Sequence, residues 1–270
     1  MRLGICQINI EWEEKKVNQK NINYFVQEAS KQRIDLVLFP EMCLTGFSMN
    51  ILITLDRFSE TIDYFKTLTK KHSINIGFGW TKNSSSSEHG SEANIAPKIK
   101  AENHYTVITP SGEIISDYTK IHPFSYANED QFFQGGEQIS HFHVNDFTAS
   151  TFICYDLRFP EIFQAASIES HLIIVAANWP EARREHWRCL MRARAIENQV
   201  YMVGVNCVGE IGSTKYAGDS CIIDPQGNVL AELSYQEGLL VYDINNDVAQ
   251  YRKEFPVKQD RKLEIYKKYY

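Results

Sequence analysis

Nine short apolar runs recur along the chain, and longer segments with helical spacing separate several of them. The short runs, LGICQINI, DLVLF, INIGFGW, HYTVITP, TASTFIC, LIIVAAN, VYMVGVN, SCIIDP and LLVYDI, are rich in β-branched and aromatic residues and read as strands. Among the longer segments, NQKNINYFVQEASKQR puts Ile22, Phe25, Val26 and Ala29 on one face, and IDYFKTLTKKHS does the same with Phe65 and Leu68. PEIFQAASIES opens with Pro160, which suits a first helical turn, and EARREHWRCLMRARAIENQ carries a Trp187, Leu190, Met191, Ala195 stripe. Strands alternating with helices predict a layered α/β fold, while consecutive strands joined by the turns TPSGEI and DPQGNV predict hairpins within the same sheets.

No internal repeat and no composition break divides the chain, so residues 1–270 are expected to form one domain. The polar stretch NSSSSEHGSE reads as a hairpin tip, and whether it covers a pocket is left open by the sequence. A net charge of -6 with interleaved acids and bases argues against nucleic acid, and the basic, aromatic RKLEIYKKYY reads as a short solvated tail. No run approaches the roughly 18 apolar residues of a membrane span, and MRLGICQINIEWEEKK does not read as a signal peptide. A soluble, cytoplasmic protein without nucleic-acid or membrane partners is expected. Six cysteines without a C-x-x-C pair suit neither a disulfide framework nor a zinc knuckle; five read as buried small residues, leaving Cys154 to explain.

Cys154 ends a predicted strand and opens a tight turn before Pro160, the geometry of a nucleophile elbow, although the motif is not G-x-S-x-G. Glu41 follows DLVLFP and Lys120 follows ISDYT, each at another strand end. Singly, the glutamate reads as a solvated loop acid and the lysine as a surface cation. Together the three supply a thiol, a base and a cationic donor, which is what amide hydrolysis by cysteine needs. The thiol must lose its proton, and the attacked carbonyl oxygen becomes an anion.

FPEMCLTGF around Glu41, DYTKIHPF around Lys120 and FICYDLRFPE around Cys154 resemble, in order, the three signatures of the nitrilase superfamily of carbon-nitrogen hydrolases. NWPEARREHW, RARAIENQVYMVGVN, GDSCIIDPQGNVLAE and FPVKQD resemble its bacterial ω-amidase, or 2-oxoglutaramate amidase, branch. The resemblance implies a four-layer α-β-β-α sandwich, a homodimer or larger homo-oligomer, and neither metal nor organic cofactor. It implies an amidase releasing ammonia from a small amide such as 2-oxoglutaramate or 2-oxosuccinamate, with Cys154 as nucleophile and Glu41 as general base. Lys120 and the backbone N–H of Tyr155 would hold the oxyanion, and a thioester would form. A second glutamate, matched best by Glu129 with Glu137 as rival, would orient Lys120 and the substrate amide.

Trp179 reads equally as a pocket wall or as packing. Arg158 suits either a clamp for a substrate carboxylate or an ion pair with Glu161; Arg183 and Arg184 suit either that carboxylate or a solvated helix face. His122, two residues from Lys120, is expected to make a structural hydrogen bond, since Glu41 already supplies a base. Pro123 stands where a larger apolar residue such as leucine is expected, with a reshaped pocket as the consequence. A nitrile hydrolase, an N-carbamoyl hydrolase and a catalytically silent binding module are the alternatives. In a redox sensor, Cys43 would be the resolving neighbour of Cys154.

Overall fold

In the computed structural model, which describes residues 1–56, 58–83 and 100–269, the predicted alternation is resolved into two sheets. From the N-terminus come β1 (Arg2–Gln7), α1 (Lys15–Lys31), β2 (Leu36–Leu38), α2 (Ile51–Thr54), α3 (Glu60–His72), β3 (Asn75–Asn83), β4 (Ala101–Ile108) and β5 (Ile114–Thr119). Then follow α4 (Glu129–Phe132), β6 (Phe133–Gln134), β7 (His141–Val144), β8 (Phe147–Ile153), α5 (Pro160–Ala166), β9 (Leu172–Ala177) and α6 (Arg184–Asn198). The last elements are β10 (Tyr201–Asn206), β11 (Val208–Ile211), β12 (Thr214–Ile223), β13 (Val229–Ser234), β14 (Gly238–Asp243), α7 (Val248–Glu254) and α8 (Leu263–Tyr266).

The first sheet runs β14-β1-β2-β3-β4-β5 with β6 beside β4; the second runs β11-β12-β10-β9-β8-β7 with β13 beside β12. Each has a parallel centre, β1-β2-β3 in one and β8-β9-β10 in the other, and antiparallel flanks. Parallel neighbours need crossovers, which α1, α3, α5 and α6 provide.

Side-chain alternation explains the layering. Leu36 and Leu38 of β2 enter the core between the sheets, beside Phe152 and Val175 of the second sheet. Val37, between them, faces the other way into a cluster with Ile22, Val26 and Phe65 of α1 and α3. On the far side, Phe163, Trp187, Met191 and Ala195 of α5 and α6 cover the second sheet. The result is the expected four-layer α-β-β-α sandwich, with strands buried on both faces and hence nearly continuously apolar.

Several local expectations are corrected. PEIFQAASIES is helical only to Ala166, and the segment from Glu181 begins with a short 3-10 turn before α6 starts at Arg184. The short strands β7 and β11 and the helix α7 were not legible as elements. Cys189 is exposed on α6, so four rather than five of the remaining cysteines are buried. The NSSSSEHGSE tip beyond Asn83 lies outside the described residues. Among the described residues no helix is long and apolar enough to cross a membrane.

Candidate active site

Four strand ends meet at one point between the sheets. After β2 the chain passes through Phe39 and Pro40 to Glu41 and lies against β3, with the Gly79 N–H donating to the Pro40 carbonyl at 3.2 Å. A Cβ at Gly79 would stand 2.5 Å from the Glu41 Cα, so only glycine lets the two backbones approach. Lys120 directly follows β5 and donates its N–H to the Asn103 carbonyl of β4 at 2.8 Å. Cys154 directly follows β8 in the left-handed conformation, φ +46°, which costs a non-glycine residue about 1–3 kcal/mol. A 3-10 turn over Cys154–Arg158 then leads into α5, which is the strained elbow expected from the sequence.

These residues form one buried polar cluster. Lys120 Nζ donates to Glu41 Oε1 at 3.1 Å and to Glu129 Oε2 at 2.8 Å, and all three side chains are essentially inaccessible. Glu129, not Glu137, is therefore the second glutamate at the lysine; Glu137 is exposed. Asn103 Nδ2 bridges the two carboxylates, at 2.8 Å to Glu41 Oε1 and 3.1 Å to Glu129 Oε1. The backbone N–H of Asn178, just past β9, donates to Glu41 Oε2 at 2.9 Å. The Cys154 sulfur lies 3.9 Å from the Asn178 carbonyl oxygen.

Charge balance sets the proton inventory. Burial alone would lower the Lys120 pKa, but Glu129 and Glu41 outweigh it and hold the ammonium protonated. Burial also raises Glu129, assisted by Glu41 and opposed by Lys120, because two carboxylates share one cation. The Cys154 thiol is pushed well above its ordinary value by burial first and by Glu41 second, against the pull of Lys120. Cys154 thus rests as a thiol, and a buried thiol of this kind needs a nearby base to act as a nucleophile.

Beside Cys154 opens a cavity of about 130 Å³ walled by Phe47, Phe124, Tyr155, Trp179 and Tyr216, with Arg158 and Arg183 in its lining. Trp179 is both wall and packing: it is almost wholly buried, sits 5.6 Å from Trp187 and donates its indole N–H to the Arg183 carbonyl. Arg158 does not pair with Glu161; its guanidinium lies 4.8 Å over the Trp179 ring and 3.3 Å from His186 Nδ1. Arg183, partly exposed, lies over Phe124 and Tyr126, at 5.5 and 5.8 Å. Arg184 is instead held by Asp219, at 2.5 and 2.9 Å. Pro123 is not in the cavity wall, whereas Phe124 is.

His122 makes the structural bond expected of it, to Asp156 at 2.8 Å. Cys43 belongs to the helix-side core, whereas Cys207, whose sulfur lies 3.2 Å from Asn178 Oδ1, is the thiol connected to Cys154 through Asn178. The sequence analysis assigns no role to Asn103, Asn178 or Asp156; Asn178 and Asp156 carry a signal, in the NWPEARREHW and FICYDLRFPE motifs, whereas Asn103 carries none. Among the described residues no group of three or more His, Cys, Asp or Glu side chains is arranged to hold a metal ion.

A family model described as carbon-nitrogen hydrolase matches residues 2–253. The chain is 32% identical over 273 residues to a Staphylococcus aureus protein described as a hydrolase in the agr operon, covering 99% of this chain and 100% of the relative. It is 31% identical to 2-oxoglutaramate amidase of Bacillus subtilis, covering 98% of each. Among solved structures, a carbon-nitrogen hydrolase superfamily protein of Xanthomonas campestris with an arsenic adduct in its active site superposes with a TM-score of 0.86 at 29% identity, covering 97% of each chain.

Proposed function

The chain belongs to the carbon-nitrogen hydrolase family, acting on amides, and on that premise we propose that it is an omega-amidase, releasing ammonia from the terminal amide of a short 2-oxo acid such as 2-oxoglutaramate or 2-oxosuccinamate. In this reading Glu41 takes the Cys154 proton as the sulfur attacks the amide carbonyl. The oxyanion is met by the Lys120 ammonium and the Tyr155 N–H. The C–N bond then breaks, nitrogen leaves as ammonia with the proton held by Glu41, and a thioester remains. Water, deprotonated by Glu41, attacks the thioester; the thiolate leaves and recovers a proton, and the product is the carboxylic acid. Glu129 keeps Lys120 charged and aimed.

The observation that carries the substrate class is the pair of guanidiniums, Arg158 and Arg183, that line the Cys154 cavity with no carboxylate partner among the described residues. Aromatic faces brace both, leaving N–H edges for an anionic, oxygen-rich ligand end. A cavity of about 130 Å³ suits a small molecule, and the Bacillus subtilis relative is named for 2-oxoglutaramate.

The test is ammonia release from 2-oxoglutaramate, 2-oxosuccinamate, glutamine, asparagine, neutral aliphatic amides, N-carbamoyl amino acids and nitriles, with Cys154→Ala and Lys120→Ala alongside. Preference for the 2-oxo acid amides, abolished in both variants, is expected. Preference for neutral amides, carbamoyl compounds or nitriles would sink the substrate assignment, and an active Cys154→Ala would sink the chemistry.

A further inference from the structure

Lys120 and Cys154 come from different sheets, at the ends of β5 and β8, so neither sheet's hydrogen-bond ladder sets one against the other. The apolar core between the sheets is non-directional and tolerates small slips; hydrogen bonds do not. Beside the Glu41–Asn178 link, the Asp156 side chain ties the Lys120 segment directly to the Cys154 elbow. Asp156, fully buried, accepts the Tyr118 hydroxyl at 2.8 Å and the Ile153 N–H at 3.1 Å on Oδ2. On Oδ1 it accepts the His122 N–H at 3.0 Å and the His122 Nδ1–H at 2.8 Å.

Tyr118 and His122 flank Lys120 at two residues on either side, and Ile153 immediately precedes the strained Cys154. The His122 ring also stacks on Phe159 of the elbow, 3.7 Å between centroids and 12° from parallel. A buried carboxylate without these donors would be costly, so all four bonds are held together. Burial, and then the charge of Asp156, raise the Tyr118 pKa well above its ordinary value, which keeps its hydroxyl a donor.

We propose that Asp156 is a positioning residue that sets the Lys120 ammonium against the Cys154 sulfur, acting through Tyr118 and His122 on one side and Ile153 on the other. The proposal rests on Lys120 and Cys154 working as a pair, as in the function proposed above, and not on which amide is the substrate.

The experiment compares Asp156→Asn, Tyr118→Phe, Lys120→Ala and the double variant Asp156→Asn/Lys120→Ala, using the best amide of the panel. It measures kcat, KM, thermal unfolding, and the pH profile of Cys154 alkylation by iodoacetamide. Following the mass of the Cys154 peptide keeps the exposed Cys189 out of the reading. A misplacement of about 1 Å costs on the order of 100-fold, so Asp156→Asn is expected to lose about that factor in kcat with KM little changed. Its alkylation profile should move to higher pH, as in Lys120→Ala, and the double variant should be alkylated at Cys154 no more slowly than Lys120→Ala alone.

A folded Asp156→Asn with wild-type kcat, or losses in Cys154 alkylation rate that multiply in the double variant, would overturn the proposal. Where Asp156→Asn does not fold, Tyr118→Phe decides: a displaced alkylation profile with lowered kcat supports the role, and an unchanged profile overturns it. A fully active Lys120→Ala would instead bring down the proposed site chemistry, and the positioning role with it.

Discussion

Asn178 holds Glu41 twice, its backbone N–H at 2.9 Å from Glu41 Oε2 and its side-chain amide at 2.6 Å from the Glu41 carbonyl oxygen. The two residues are 137 positions apart and belong to different sheets, so the proposed base is fixed by the strand that follows the proposed nucleophile. Asn178→Ala leaves the Glu41 carbonyl buried without its partner, a loss of about 1–3 kcal/mol. Steady-state kinetics on the variant should show kcat lower by about 10–100-fold, with a loss of thermal stability. An unchanged kcat would mean that the backbone N–H alone is sufficient.

Glu129 supplies one of the two carboxylates that keep Lys120 charged. Removing one member of a buried ion pair costs about 3–5 kcal/mol, so Glu129→Ala should be markedly destabilised in urea unfolding. Glu129→Gln, which keeps the volume and an acceptor for Lys120, should fold more stably than the alanine variant and still lose activity. If both variants are as stable as the parent, Lys120 is finding a substitute partner.

Arg183 and Arg184 are neighbours in the chain with opposite surroundings: Arg183 lines the cavity and Arg184 binds Asp219. Arg158→Met and Arg183→Met should raise KM for 2-oxo acid amides, by about tenfold or more for a lost charge-assisted bond, while turnover of a neutral amide is spared. Arg184→Met should lower the unfolding temperature without this substrate-dependent split. Equal losses on charged and neutral amides would contradict the clamp.

Lys258, half-buried and close to Arg252 and Arg261, has its pKa lowered to about 7, by burial first and by the two arginines second. Its pKa is lower folded than unfolded, so between these values the unfolded state binds more protons and stability rises with pH. The contribution is screened by partial exposure. The unfolding temperature should climb from about pH 7 towards the ordinary lysine range, and Lys258→Met should flatten that rise. A profile identical in parent and variant would exclude Lys258 as its source.

Local patterns determined much of this protein. Alternating β-rich and helical segments predicted the layers, because side-chain period reports which face of an element is buried. Glu41, Lys120 and Cys154 were legible because each stands in a distinctive motif at the end of an apolar run. What the pattern could not express was partnership across the sheets. Asn103 bridging two carboxylates, Asn178 holding Glu41 and Asp156 joining the Lys120 and Cys154 loops all depend on which strand ends meet. That is set by sheet order and packing rather than by any local sequence signal. The contrast between Arg183 and Arg184 has the same origin: both are arginines at a helix start, and only the assembled tertiary structure brings Asp219 to one and the cavity to the other.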